Sequence, residues 1–322
     1  MKVPNMSKIC TLKETGDLLL KSQRIVICSH INPDGDTLGS NLTLGLALKQ
    51  AGKQVTMTVD DDIPTTFAFM PGITELVRLP EGSKLAADLL VVVDASSADR
   101  VGKVLEQVET PVLLNIDHHK TNTYFADYLY LDAQAAATCE IMYELLQTMK
   151  LPLNQEMAMC NFTGLYTDTG SFKYSNTTCK TMRTAAELLN LGVDPSYISD
   201  NIEIKSQATV AMLGKVLDTL TFRHNGAIAY VEISKDLYDK NVDTDTFISY
   251  PRYIEGVEIA LLFKEVEDGL TRVSMRSRRA DVSKIALRFG GGGHVKAAGC
   301  SVHKHLQAAK DEVLAVVEAV LS

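Results

Sequence analysis

The 322-residue sequence has no apolar run approaching the ~20 residues that a membrane span requires. Its opening, MKVPNMSKICTLKETGDLLL, has no uninterrupted apolar core and no small-residue cleavage site. It therefore does not read as a signal peptide, and a cytoplasmic enzyme is expected. The six cysteines, Cys10, Cys28, Cys139, Cys160, Cys179 and Cys300, form no CxxC pair and sit among apolar or small neighbours. Buried reduced thiols are the expectation. Excess positive charge is also missing: 32 Lys and Arg face 40 Asp and Glu, for a net charge of −8. Proteins that grip long nucleic acid usually present a basic surface, so a long duplex is disfavoured as a partner. A small anionic substrate held by metals and a few local arginines remains compatible. There is no internal repeat and no low-complexity tract.

What is present suits two globular domains, with hydrophobic residues at 46% and charged residues at 22%. RIVICS (24–29), QVTMTV (54–59), LLVVV (89–93) and PVLLNI (111–116) read as buried strands, and 36–52 as a helix. Further helical patterns fall at about 135–149, 154–167 and 178–191. Strands alternating with helices predict an α/β domain on a parallel sheet with helices on both faces. After residue 190 the texture changes. A helical connector over 191–220 leads to a smaller α/β domain over 221–322, with strands at 227–234, 257–266 and 271–278 and helices at 281–289 and 306–322.

The chemistry-bearing residues fall at strand ends. RIVICS runs into His30, Asp34 and Asp36; LLVVV runs into Asp94; PVLLNI runs into Asp117, His118 and His119. In open parallel sheets the carboxyl edge is where ligand sites form. Asp168, at the end of a predicted helix and before a Gly- and Ser/Thr-rich turn, can close the set. A lone Asp after a strand is usually a turn or helix cap. It is the repetition behind three strands that points to a site. Mixed carboxylate and imidazole donors suit manganese best, with iron, cobalt or zinc also fitting. Asp34, Asp36, Asp94 and Asp168 with His30 and His118 make six ligands, more than one ion needs, which predicts two. Two ions ~3.5–4 Å apart can share a bridging hydroxide and clamp the attacking and leaving oxygens of a phosphoester.

On these residues the chain resembles the DHH family of phosphoesterases. HINPDGDTLGS matches its first motif, VVVDASS its second, NIDHHKTN its third and YTDTGSFKYSNTT its fourth. SMRSR and FGGGGHVKAAGC resemble the DHH-associated domain, so the likeness spans about 24–302. Within the family it is most similar to nanoRNase-type members, which implies an oligoribonuclease that also removes the 3′-phosphate of 3′-phosphoadenosine 5′-phosphate. The resemblance implies that His30, Asp34 and Asp94 hold one manganese. Asp36, Asp94, His118 and Asp168 would hold the other, with Asp94 bridging. It further implies that His119 faces the scissile phosphate and that Asp117 orients an imidazole. With metals at the sheet edge of the first domain and reading residues in the second, the active site is expected in the cleft between the domains. Whether His118 or His119 is the direct ligand stays open.

The C-terminal domain reads as the substrate reader. As a strand, TRVSMRSRR places Arg272, Ser274, Arg276 and Arg278 on one face and Val273 and Met275 on the other. Gly290, Gly291, Gly292 and Gly293 exceed what a helix cap needs and suit an anion-binding loop with His294 as donor. A solvated sheet face and a flexible turn are the plainer readings of both features. Arg252 is a further candidate.

Short RNA or DNA oligonucleotides and a nucleoside 3′,5′-bisphosphate are the expected partners. No membrane is expected, and a homodimer is left open. The main rival is a cyclic-dinucleotide or linear-dinucleotide phosphodiesterase using the same residues. A long single-strand exonuclease lacks the added modules and basic charge it would need. A pyrophosphatase or exopolyphosphatase is disfavoured by the glycine loop, which suggests a nucleoside to be read. A non-catalytic nucleotide sensor would have lost ligands that are all present here.

Overall fold

The computed structural model describes residues 7–321. Residues 1–6, part of the stretch read above for a signal sequence, lie outside the described residues. The chain divides into two compact units between Ile204 and Lys205.

Unit 1 contains strands β1 (Lys8–Ile9), β2 (Arg24–Cys28), β3 (Gln54–Thr58), β4 (Leu76–Val77), β5 (Leu85–Ala86), β6 (Leu89–Val93), β7 (Val108–Glu109), β8 (Leu113–Asp117) and β9 (Tyr128–Leu131). Its helices are α1 (Leu12–Lys21), α2 (Gly35–Gln50), α3 (Val104–Gln107), α4 (Thr138–Met149), α5 (Gln155–Asp168), α6 (Cys179–Asn190) and α7 (Pro195–Glu203). Seven strands form one sheet in the order β1-β9-β8-β6-β2-β3-β4. Every pairing in it is parallel. Strands β5 and β7 pair separately.

The β-branched runs become central strands because both their faces are covered. Ile25, Ile27, Val91, Val93, Leu114 and Ile116 pack against α2, α4 and α5. Val26, Cys28, Leu90 and Val92 face the other way, onto Val101 and Val104 of the short α3 region. Helices therefore lie on both faces, with the long ones on the first. From β2 the chain moves outward through β3 and β4, then crosses to β6 and runs the other way. The switch between β2 and β6 is where an open parallel sheet leaves a ligand crevice.

Two glycines let α2, α4 and α5 meet beside that switch. A Cβ on Gly39 would lie 2.5 Å from the Cys160 carbonyl oxygen. One on Gly164 would lie 2.3 Å from Cys139 Sγ and 2.9 Å from Asp36 Oδ1. Only glycine permits this approach. Five of the cysteines are buried and free, as expected; Cys179, at the start of α6, is exposed.

Unit 2 comprises α8 (Gln207–Leu217), β10 (Thr221–Arg223), β11 (Ile228–Ile233), α9 (Ser249–Tyr253), β12 (Ile259–Glu267), β13 (Leu270–Ser277), α10 (Val282–Arg288), β14 (Gly292–His294), β15 (Ala297–Val302) and α11 (Leu306–Leu321). Its six-stranded sheet has the order β10-β11-β12-β13-β15-β14. Strands β11 and β12 are parallel and the other pairs antiparallel. One face packs on α10 and α11 through Val273, Met275, Ile285 and Val313. The other packs through Val231, Leu262, Phe247 and Val216.

The structure departs from the sequence reading in places. The connector region holds two helices, α7 in the first unit and α8 in the second. Elements α1, β1 and β9 were not anticipated. The glycine run is not wholly a loop: Gly292–His294 pairs with β15 as an edge strand. Glycine's poor strand propensity hides such a strand from sequence, and here it pairs through backbone alone. No described helix is long and apolar enough to cross a membrane.

Candidate active site

The site begins with the backbone. Strand β2 ends at Cys28, and Asp34 then serves as N-cap of α2, accepting the Thr37 N–H at 3.0 Å. The cap reading and the site reading of this Asp are both satisfied, because its other oxygen lies 3.8 Å from His30 Nε2. His30 is buried, with Nδ1 2.8 Å from the Ile31 carbonyl oxygen. Donation of Nδ1–H to that carbonyl leaves the Nε2 lone pair for the cluster. Asp36, in the first turn of α2, is completely buried. Its carboxylate accepts the N–H groups of Thr138 at 2.6 Å and Cys139 at 2.8 Å. A remote carboxylate thus caps α4, whose own N-cap, Ala137, offers no side chain bond.

Asp94 follows β6 in a left-handed conformation, φ 58°, rare for a residue with a side chain. Only 2% of it is exposed. Its two oxygens face different partners. Oδ2 lies 3.6 Å from His30 Nε2, while Oδ1 lies 3.6 Å from His118 Nε2 and 3.8 Å from His119 Nδ1. Two threonine hydroxyls hold it crosswise, Thr37 on Oδ2 at 2.7 Å and Thr138 on Oδ1 at 2.9 Å. The Thr37 hydroxyl also touches His30 Nε2.

His118 turns Nδ1 to the Ala135 carbonyl at 3.3 Å and Nε2 to Asp36, Asp94 and Asp168, the last at 3.4 Å. His119 instead binds Asp117 through Nδ1 at 2.7 Å. Asp117 is fully buried and is fixed in turn by Asn122 Nδ2 at 2.6 Å, which also reaches Asn115 Oδ1 at 2.8 Å. His118 thus presents Nε2 to three carboxylates, whereas His119 is oriented by Asp117 through Nδ1. Asp168, at the C-terminus of α5, joins Asp36 and His118.

Electrostatics match this crowding. Burial and the neighbouring charges of Asp94 and Asp34 push the Asp36 carboxyl well above the usual range. Burial, with Asp36, Asp94 and Asp34, does the same to Asp168. Burial also opposes charge on Asp94, but the His30 hydrogen bond and the charges of His118, His119 and His30 outweigh it and lower its pKa. Burial likewise opposes protonation of His119. The Asp117 hydrogen bond and the charges of Asp94, Asp117 and Asp36 prevail and raise its pKa to about 9.

Three donor groups overlap here: His30, Asp34 and Asp94; Asp94, His118 and His119; and Asp36, His118 and Asp168. In each, one donor atom per residue lies within 4.8 Å of the others. Carboxylates driven toward neutrality beside imidazoles with outward lone pairs form a set that divalent cations would neutralise. The donors fit such ions.

In unit 2 the alternation along β13 holds through Ser277: Val273 and Met275 are buried, Arg272 is exposed, and Ser274 and Arg276 are half-buried. Sheet register aligns Ser274 with Gly299 and Gly292, and Arg276 with Ala297 and His294. Register partners share a face, so Arg276 and His294 flank a floor of small residues roughly 10 Å apart. Gly291 and Gly293 border this row, Gly293 with φ 135°. Arg278 lies past the strand and donates to the Ile254 carbonyl at 3.2 Å. Arg252, on α9, lies over the Tyr253 ring. Thr37, Thr138, Asn115 and Asn122 were missed by sequence reasoning. Their types are ordinary helix-start and loop residues, and only tertiary contact gives them a role.

Residues 24–165 match the DHH family, N-terminal domain, and residues 204–322 match the DHHA1 domain. A bifunctional oligoribonuclease and PAP phosphatase NrnA of Thermus thermophilus is 35% identical over 286 residues, 86% of this chain and 84% of that protein. The protein of the same description from Bacillus subtilis is 27% identical, covering 91% of this chain and 93% of its own length. Among solved structures, an exopolyphosphatase-related protein from Bacteroides fragilis superposes with a TM-score of 0.85 and 25% identity, covering 96% of this chain and 95% of that one. Fold and donor set thus define an enzyme that hydrolyses phosphoester bonds. The chain belongs to the DHH family, joining its N-terminal domain to a DHHA1 domain.

Proposed function

We propose that this enzyme hydrolyses short oligonucleotides to mononucleotides and removes the 3′-phosphate from 3′-phosphoadenosine 5′-phosphate, with two manganese ions. The observation that carries the reading is Asp94: buried, left-handed and threonine-held, with one oxygen toward His30 and the other toward His118. In this reading His30, Asp34 and Asp94 hold one ion, and Asp36, Asp94, His118 and Asp168 hold the other. When bound, the ions supply Lewis acidity and acidify an attacking water. The 35% identical Thermus protein, described as acting on both substrate types, supports the substrate class.

The chain's own residues do the rest. Asp117 holds His119 with its Nδ1–H engaged, so Nε2–H is the proton available to the leaving oxygen. The row of Ser274, Arg276, Gly292 and His294 in unit 2, with Arg252, Arg278, Gly291 and Gly293 as further candidates, receives phosphate and base. No step requires a basic track, in keeping with the net charge of −8.

A product time course tests the reading, using mono-, di-, tri- and longer nucleotides, cyclic dinucleotides and the 3′,5′-bisphosphate, with and without chelator. Linear di- and trinucleotides should yield mononucleotides, the bisphosphate should lose its 3′-phosphate, and chelator should stop both. A strong preference for cyclic dinucleotides would replace the reading with its rival. Binding without turnover would make the protein a sensor.

A further inference from the structure

Tyr174, six residues past Asp168, has no role in the site described above, and 54% of its surface is exposed. A Cβ on Gly170 would fall 2.3 Å from its Cζ and 2.4 and 2.5 Å from Cε1 and Cε2. The hydroxyl end of the ring therefore rests on the Gly170 backbone, two residues beyond Asp168. The Tyr174 N–H closes the turn by donating to the Thr169 carbonyl at 2.9 Å. Within the turn three successive residues are left-handed: Gly170 at φ 55°, Ser171 at 60° and Phe172 at 62°. Two of the three carry side chains, for which this conformation is strained. Strain of this kind persists where surroundings over-determine it, and it clusters at ligand clamps.

The surroundings are present. Phe172 turns inward, with its ring 5.6 Å from Phe162 and 6.2 Å from Tyr166. The Phe172 N–H donates to Thr169 Oγ1 at 3.0 Å. Asn176 Nδ2 ties the Asp168 and Ala136 carbonyls at 3.0 and 3.1 Å. The turn thus anchors one half-buried aromatic ring against the core and leaves the other exposed on Gly170, two residues beyond Asp168.

We propose that Tyr174 is a base platform in unit 1, stacking against a nucleobase of the substrate whose phosphate lies at the donor cluster. The inference rests on the oligonucleotide reading above and adds a specificity residue to it. Stacking on an aromatic ring is tolerant of base identity, which suits an enzyme of mixed short oligonucleotides.

The test uses full-length enzyme with manganese. It compares a dinucleotide with two abasic counterparts, each lacking one base. The preference for the intact dinucleotide, as a ratio of kcat/KM values, should drop about tenfold in Tyr174→Ala for at least one counterpart. The change should fall on KM, with bound manganese equal to wild type. Tyr174→Phe keeps the ring and should restore the ratio. Tyr174→Leu keeps apolar contact with Gly170 without a π face and should behave as Tyr174→Ala. An unchanged ratio in Tyr174→Ala, or rescue by Tyr174→Leu, would overturn the platform and leave the oligonucleotide reading intact. A wild-type enzyme that cleaves none of the three substrates would overturn both.

Discussion

The two candidate regions are built in opposite ways. The donor cluster of unit 1 has a buried centre in His30, Asp36 and Asp94, and its inner carboxylates are held by further partners. Asp94 has two threonines, Asp36 has the N-terminus of α4, and Asp117 has Asn122. The candidate reading surface of unit 2 is a row of half-buried arginine and serine with exposed glycine and histidine on a sheet face. Buried carboxylates crowded together have to be fixed before any ligand arrives, because a misplaced charge there is expensive. Exposed recognition groups can adapt. Damage to the first region should therefore be large and shared among its members, and damage to the second smaller and confined to binding.

The largest effect belongs to Asp94→Ala, which removes the carboxylate common to two donor groups. A loss of at least ~10³-fold in kcat/KM is expected. Activity near wild type would break the contrast at its strongest point. Thr138→Val comes next. It deletes the hydroxyl on Asp94 Oδ1 and keeps the N–H on Asp36 and the side-chain shape. Partners of metal ligands are typically worth about 10- to 100-fold in metal affinity. Manganese titration should show that weakening, and Thr138→Ser should recover most of it. Unaltered affinity in Thr138→Val would mean that the threonine does not position the carboxylate.

On the other side, Arg276→Ala and His294→Ala should raise KM by about tenfold, since a charge-assisted contact contributes roughly 1.5–3 kcal/mol. Bound manganese should not change. If either variant lost metal, the separation of the two roles would be wrong. The most graded effect is substrate length. Efficiency should fall from two to five nucleotides toward ~20, because added nucleotides meet no basic track and still cost ordering entropy. Equal rates on a dinucleotide and a twenty-mer would contradict this.

The same contrast explains what could be read from sequence. Runs such as LLVVV announce central strands, because residues buried on both faces must be apolar and strands favour β-branching. The Asp and His residues behind them were legible because ligand chemistry demands those types. YLYL at 128–131 was not, since a short, half-buried strand leaves no alternation long enough to detect. The β14 strand was hidden because Gly292 and Gly293 look like loop residues. Thr138 and Asn122 carry no signature at all. Their importance comes from which remote carboxylate they meet, which only the folded chain decides.

Manganese stoichiometry, measured by calorimetry on the full chain, tests the central claim most directly. Two ions per wild-type chain are expected, with both weakened in Asp94→Ala and both retained in Arg276→Ala. A single ion in wild type, or two ions held as tightly in Asp94→Ala, would contradict a site shared through Asp94.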